Sequence, residues 1–138
     1  MIIDTSVALK WHLKEADSSL AETLLLRTDL CAPSTLVVEA GYVLTRLARQ
    51  RILTADAART VWSDLQDGPL DLIDDESLLD DAFELSLELG SGFYDCIFLA
   101  LAEATGDTLV TADERFATAV RAQSSLAGHI TVLKELSP

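Results

Sequence analysis

Met1-Ile2-Ile3-Asp4-Thr5-Ser6-Val7 opens the chain with a short apolar run that ends in an aspartate, passes two hydroxyl residues and enters a helical pattern. Read as a strand followed by a helix, the stretch places Asp4 at a strand's carboxyl end. In an open α/β sheet, ligands bind beyond those ends, at the point where the strand order reverses. Asp4 is therefore either the cap of the following helix or a site residue. The choice turns on whether other acids come to meet it.

Working outward, the pattern repeats. Asp17-Ser18-Ser19 offers an N-cap for a helix with Leu20, Ala21, Leu24 and Leu25 on one face. Leu30-Cys31-Ala32 reads as a second strand, stopped by Pro33 at the entry to the next helix. That helix is expected over Ser34 to Gln50, with Leu36, Val37, Ala40, Val43, Leu44, Leu47 and Ala48 at core spacing. Thr54 can cap a helix whose apolar face is Ala58, Val61, Trp62 and Leu65, and Asp67-Gly68-Pro69 ends it. Leu70 to Ile73 is a short strand. Leu78, Leu79, Ala82, Leu85 and Leu89 then form one side of an amphipathic helix, with Asp80, Asp81, Glu84 and Glu88 as its solvated face. Cys96 to Ala102 is apolar all round, which marks a buried central helix, with Gly106 as its C-terminal glycine. Thr108 to Thr111 and Ile130 to Leu133 are the last strands, separated by a helix carrying Phe116, Ala117 and Val120. Short strands alternating with helices of about a dozen residues predict a three-layer α/β/α domain with a mainly parallel central sheet.

At 138 residues the chain is expected to form one domain over residues 1–138, long enough for a hydrophobic core. No apolar stretch approaches the roughly 20 residues of a membrane span. No basic segment followed by an apolar one suggests a signal peptide, so a cytoplasmic location is expected. Cys31 and Cys96 lack metal or redox spacing and read as buried free thiols. The net charge of −13 argues against a protein that grips nucleic acid with its whole surface. Either the substrate is something else, or the acids gather where a metal ion or a basic partner neutralises them.

Asp4, Glu39, Asp95 and Asp113 depart from the pattern of polar-face acids. Asp4 and Asp113 follow strands, Asp95 begins an otherwise apolar helix, and Glu39 sits in the first turns of a long core helix. Strand ends and the starts of following helices share one edge of a parallel sheet, so these segments can meet there. The competing reading is local: the aspartates cap or charge helix N-termini, and Glu39 pairs with Tyr42 or Arg46 on the surface.

At these residues the sequence resembles the PIN-domain ribonucleases of the VapC toxin type, over nearly the whole chain. Ile2-Ile3-Asp4-Thr5-Ser6-Val7-Ala8-Leu9-Lys10-Trp11 resembles the family's first strand and acid, and Pro33 through Glu39-Ala40 its second element. Tyr94-Asp95-Cys96-Ile97-Phe98-Leu99-Ala100-Leu101-Ala102 resembles the third and Thr111-Ala112-Asp113-Glu114-Arg115-Phe116 the fourth. The resemblance implies that Asp4, Glu39, Asp95 and Asp113 form one acidic pocket for Mg²⁺ or Mn²⁺. Hard divalent cations take oxygen ligands, and one bound there would relieve carboxylate repulsion and activate water for in-line attack on RNA. It further implies products with a 5′-phosphate and a 3′-hydroxyl, and a role for Thr5, Ser6 and Thr111 as hydrogen-bond donors that orient the acids. The partners implied are a cognate antitoxin with a basic segment, an RNA substrate and a second copy in a homodimer.

Even with the pocket acids neutralised the chain stays acidic, so RNA contact would rest on local cations, for which Lys10, Lys14, Arg46, Arg49 and Arg51 are candidates. A narrow target, such as one structured RNA held by shape, suits this surface better than general RNA degradation. Two other readings compete. One is a catalytically silent PIN-like module that binds a partner, against which the intact acids count. The other is a receiver-like or phosphoryl-transfer domain. That class needs a lysine or a second aspartate beside the first, and here Ser6 stands two residues after Asp4, with no lysine in the last third before Lys134.

Overall fold

Five short strands lie side by side in the order β3-β2-β1-β4-β5. They are β1 (Ile2–Ile3), β2 (Cys31–Pro33), β3 (Asp71–Ile73), β4 (Leu109–Thr111) and β5 (Ile130–Val132), and every neighbouring pair is parallel. The structure is a computed structural model and describes residues 1–136. Central β1 pairs Ile2 with both Cys31 and Leu109. Both faces of its residues are fully buried, which is why the run is continuously apolar and does not alternate.

The helices are α1 (Thr5–Leu9), α2 (Ser18–Thr23), α3 (Thr35–Arg49), α4 (Ala55–Asp67), α5 (Leu79–Leu89), α6 (Phe93–Thr105) and α7 (Glu114–Arg121). From β1 the chain steps outward to β2 and β3, then returns to lay β4 on the other side of β1. Right-handed crossovers put α1 to α4 on one face of such a sheet and α5 to α7 on the other. The packing agrees: α3 rests on α1, α4 and β2, while α6 lies across β1, β2 and β4 with α5 outside it. Cys96 to Ala102 are all buried, as an all-round apolar helix requires. The reversal of strand order falls between β1 and β4.

Several boundaries follow from local chemistry. The Thr54 hydroxyl accepts from the Ala57 amide and starts α4. Gly106, at φ 67°, ends α6 in the left-handed region where a side chain would be strained. Pro33 does not stop β2 before its end. It is the last strand residue, paired with Ile73, and the next amide, Ser34, donates to Ile73 O. Asp17 stands ahead of α2 at φ 65° but its side chain caps nothing. Leu25 and Leu79, expected in the core, are turned outward, and Trp62 is more than a third exposed, its ring lying against the α-carbon of Gly41. Asp80, Asp81, Glu84 and Glu88 are solvated, as expected. Cys31 and Cys96 are free thiols, partly and fully buried respectively. No single helix among the described residues is long and apolar enough to cross a membrane.

A candidate active-site cleft at the strand switch

Beyond the carboxyl ends of β1 and β4 lies a cleft of about 770 Å³ whose lining includes Asp4, Glu39, Asp95 and Asp113. All four acids singled out by sequence therefore face one space. They arrive on four segments: the end of β1, the second turn of α3, the first turn of α6 and the end of β4.

Asp4 continues the β1 ladder, its amide donating to Val110 O at 3.1 Å. Its side chain makes no cap hydrogen bond to α1. Instead Asp4 Oδ2 accepts from Thr111 Oγ1 at 2.6 Å and from Ser6 Oγ at 3.1 Å. Asp113 does cap its helix, Oδ1 accepting from the Phe116 amide at 3.0 Å, and it is exposed. The Thr111 hydroxyl joins the two, because it also accepts from the Asp113 amide at 3.0 Å. Glu39 Oε1 accepts from Thr5 Oγ1 at 2.9 Å. Thr5, Ser6 and Thr111 thus all bond to cleft acids or their backbone. Asp95 is half-buried, and among the described residues its carboxylate makes no hydrogen bond.

Crowded, desolvated carboxylates hold their protons longer. Burial pushes the Asp4 carboxyl above its ordinary range, against the hydroxyls that favour its charged form, with Asp113 adding repulsion. Burial raises Glu39 to about 7, Thr5 opposing and Asp4 and Asp95 adding to the rise. Burial also lifts Asp95 to about 6, with Asp4 and Asp113 reinforcing it. Three acids with this behaviour in one cleft mark a site candidate.

The donor set is all oxygen, the chemistry of Mg²⁺ or Mn²⁺ and not of a softer metal. Among the described residues, no three His, Cys, Asp or Glu side chains are gathered into a ready-made metal cage. The acids fit a hard cation that keeps part of its water shell and is held by few direct carboxylates, the ordinary habit of Mg²⁺.

Sequence reasoning missed much of the wall. Leu9, Val38, Tyr42, Val43 and Tyr94 also line the cleft, as do Lys10 and Glu15. Tyr42 lies three residues after Glu39 on α3, and Tyr94 directly precedes Asp95, so neighbour spacing was the available signal. Lys10, a candidate RNA contact, lies in the cleft lining, where its ammonium donates to Glu15 Oε2 at 3.2 Å and Ala16 O at 2.9 Å. The Arg46 guanidinium lies over the Tyr42 ring, 5.5 Å from its centroid. Lys14, Arg49 and Arg51 are exposed and outside the cleft lining.

A family model described as the PIN domain matches residues 1–121. Among solved structures, a Pyrobaculum aerophilum protein is similar at a TM-score of 0.74 and 21% identity, over 96% of this chain and 83% of that one. The VapC20 toxin of Mycobacterium tuberculosis, described as cleaving the sarcin-ricin loop, is similar at a TM-score of 0.68 and 17% identity, over 86% and 93%. The VapBC2 complex of Rickettsia felis, solved on a promoter DNA fragment, gives 0.64 and 18%, over 95% and 96%. No curated protein matches the chain. At these identities the structural likeness concerns the fold.

Proposed function

The chain belongs to the PIN-domain family, and from that premise we propose that it is a metal-dependent endoribonuclease, the toxin of a toxin–antitoxin pair. The observation that carries this reading is the convergence of Asp4, Glu39, Asp95 and Asp113 on one cleft at the strand switch. Fold neighbours that are VapC toxins or toxin–antitoxin complexes support it.

In this reading Asp4, Glu39, Asp95 and Asp113 hold Mg²⁺ or Mn²⁺. Such a cation supplies charge neutralisation for the acids and Lewis acidity toward a phosphate oxygen. The protein's own part is positioning and proton control. Thr111 and Ser6 fix Asp4, and Thr5 fixes Glu39, so two carboxylates are oriented before substrate arrives. Burial holds the Glu39 proton up to about 7 in the metal-free fold, so Glu39 would give up that proton as a cation binds in the cleft. The apolar wall from Leu9, Val38 and Val43 lowers the local dielectric and strengthens each of these interactions.

The partners proposed are an RNA substrate, an antitoxin whose basic segment suits so acidic a surface, and a second copy of the chain. The whole would act in the cytoplasm as a single domain. One alternative is a silent PIN-like binding module, against which the four acids facing one cleft count.

Incubating antitoxin-free protein with mixed transfer and ribosomal RNA separates the two. Discrete fragments are expected with Mg²⁺ or Mn²⁺, and none with EDTA or with the Asp95→Asn variant. Folded protein that binds Mn²⁺ calorimetrically yet cuts nothing in the pool favours the module. Failure to bind metal removes the four-acid site.

A further inference from the structure

We propose that Tyr42 and Tyr94 bind RNA bases by stacking at the mouth of the acidic cleft; this rests on the nuclease reading above. The chain has only two tyrosines, and both line this cleft. They are 62% and 52% exposed, so neither ring is held there by the demands of the core. Among the described residues neither phenol makes a hydrogen bond within the chain. Each ring also stands beside a cleft acid on a different wall, Tyr42 one turn past Glu39 on α3 and Tyr94 next to Asp95 on α6. A strand whose phosphate reached the acids would carry its flanking bases past both rings.

Charge argues the same way. A polyanion approaching a protein of net charge −13 gains little from its surface. Among the described residues the one cation lining the cleft, Lys10, is engaged by Glu15 and by Ala16 O. Affinity must then come from contacts indifferent to charge, and base–aromatic stacking is such a contact, available with every base. Each ring has a supporting neighbour. Arg46 lies over Tyr42 at 5.5 Å, adding a cation next to the stacked base, and Phe93 braces Tyr94 with ring centroids 6.3 Å apart. A duplex buries its base faces and has nothing to offer these rings.

The test uses the full chain with Asp95→Asn to prevent cleavage, Mg²⁺ present, and fluorescein-labelled oligoadenylate, oligouridylate and a duplex of equal length as probes. Tyr42→Ala and Tyr94→Ala are each expected to weaken single-strand binding by about 5- to 100-fold. Tyr→Phe variants should retain it, and Phe83→Ala, an exposed aromatic outside the cleft, should change nothing. The salt slope should be shallow, roughly that of one or two phosphate contacts. In the Asp95-intact chain the same alanine variants should raise KM for the RNA pool more than they lower kcat. Equal binding of duplex and single strand overturns the proposal, as do alanine variants that bind and cut like the parent. So does loss confined to association with a protein partner. In those cases metal-dependent cleavage by the parent chain still stands. A parent that neither binds nor cuts any RNA overturns the nuclease reading as well.

Discussion

Asp4 and Asp113 hold equivalent positions, each just past a central strand, yet one is a buried acceptor of hydroxyls and the other an exposed helix cap. The difference lies in Thr111, fully buried, which donates to Asp4 and accepts from Asp113. Thr111→Val keeps the shape and removes that bridge. It should cost about 1–3 kcal/mol in urea denaturation and about 10- to 100-fold in kcat/KM. Unchanged cleavage would show that Ser6 alone orients Asp4. Glu39 offers a complementary case, because burial makes its charge unfavourable in the metal-free fold. Glu39→Gln should therefore stabilise metal-free protein at pH 8, by on the order of 1 kcal/mol after solvent screening. The same change should lower cleavage at least about 100-fold if Glu39 helps hold the metal. A loss of stability instead would make Glu39 chiefly Thr5's hydrogen-bond partner. None of this was legible from spacing. Whether Asp4 caps its helix or serves a site depends on a hydroxyl 107 residues away, and local sequence holds no record of that contact.

The long elements were legible because their physics is local. The 3.6-residue period of α3, the Thr54 cap of α4 and the uniformly apolar α6 with its terminal glycine each declare themselves within one helix. Strands of two or three residues carry no period to read, so their order and register had to come from the folded sheet. The misread positions have the same origin. Leu25 and Leu79 fit an apolar stripe drawn at 3.6 residues per turn, yet Leu25 lies in a 3₁₀ turn after α2 ends at Thr23, and Leu79 opens α5 directly after another 3₁₀ turn, so the period does not run through either position. The cost of changes should follow this division between cap and core. Leu99→Ala, in the fully buried run of α6, removes packing on every side and should cost about 2–5 kcal/mol. Thr54→Ala removes one exposed cap bond and should cost about 1 kcal/mol. Chemical denaturation of both variants reads the contrast directly, and equal losses would mean that α6 can collapse around the missing side chain.

At the scale of the molecule, the winding of the sheet decides where charge gathers. Reversal of strand order between β1 and β4 leaves a gap at their carboxyl ends, and Asp4, Glu39, Asp95 and Asp113 project into it from both halves of the chain. Folding thus forces together carboxylates that the unfolded chain keeps apart, and stability must depend on pH. Asp4, Glu39 and Asp95 all have folded pKa values raised above their ordinary ones, Glu39 to about 7 and Asp95 to about 6. Between the two sets of values the folded state binds more protons than the unfolded one, so stability falls as pH rises. The contribution of Glu39 and Asp95 is complete below the ordinary carboxylate range and gone above about 7, and that of Asp4 is lost in the same direction as pH rises. The surface acids Asp29, Asp107 and Glu135 are shifted downward and act in the opposite sense, losing their contribution only in stronger acid. Metal-free protein should therefore be most stable near pH 4 to 5, and less stable at pH 8, where general repulsion in so acidic a chain adds to the effect. A divalent cation held by the cleft acids reverses this. It binds the deprotonated fold, so Mg²⁺ or Mn²⁺ at about 100 times its Kd should restore roughly 2.7 kcal/mol at pH 8. At pH 5 it should add much less, because protons occupy the same oxygens. Thermal melts at the two pH values, with EDTA and with Mn²⁺, give four midpoints. A metal-induced rise as large at pH 5 as at pH 8 would mean that the cation binds elsewhere than among Asp4, Glu39 and Asp95.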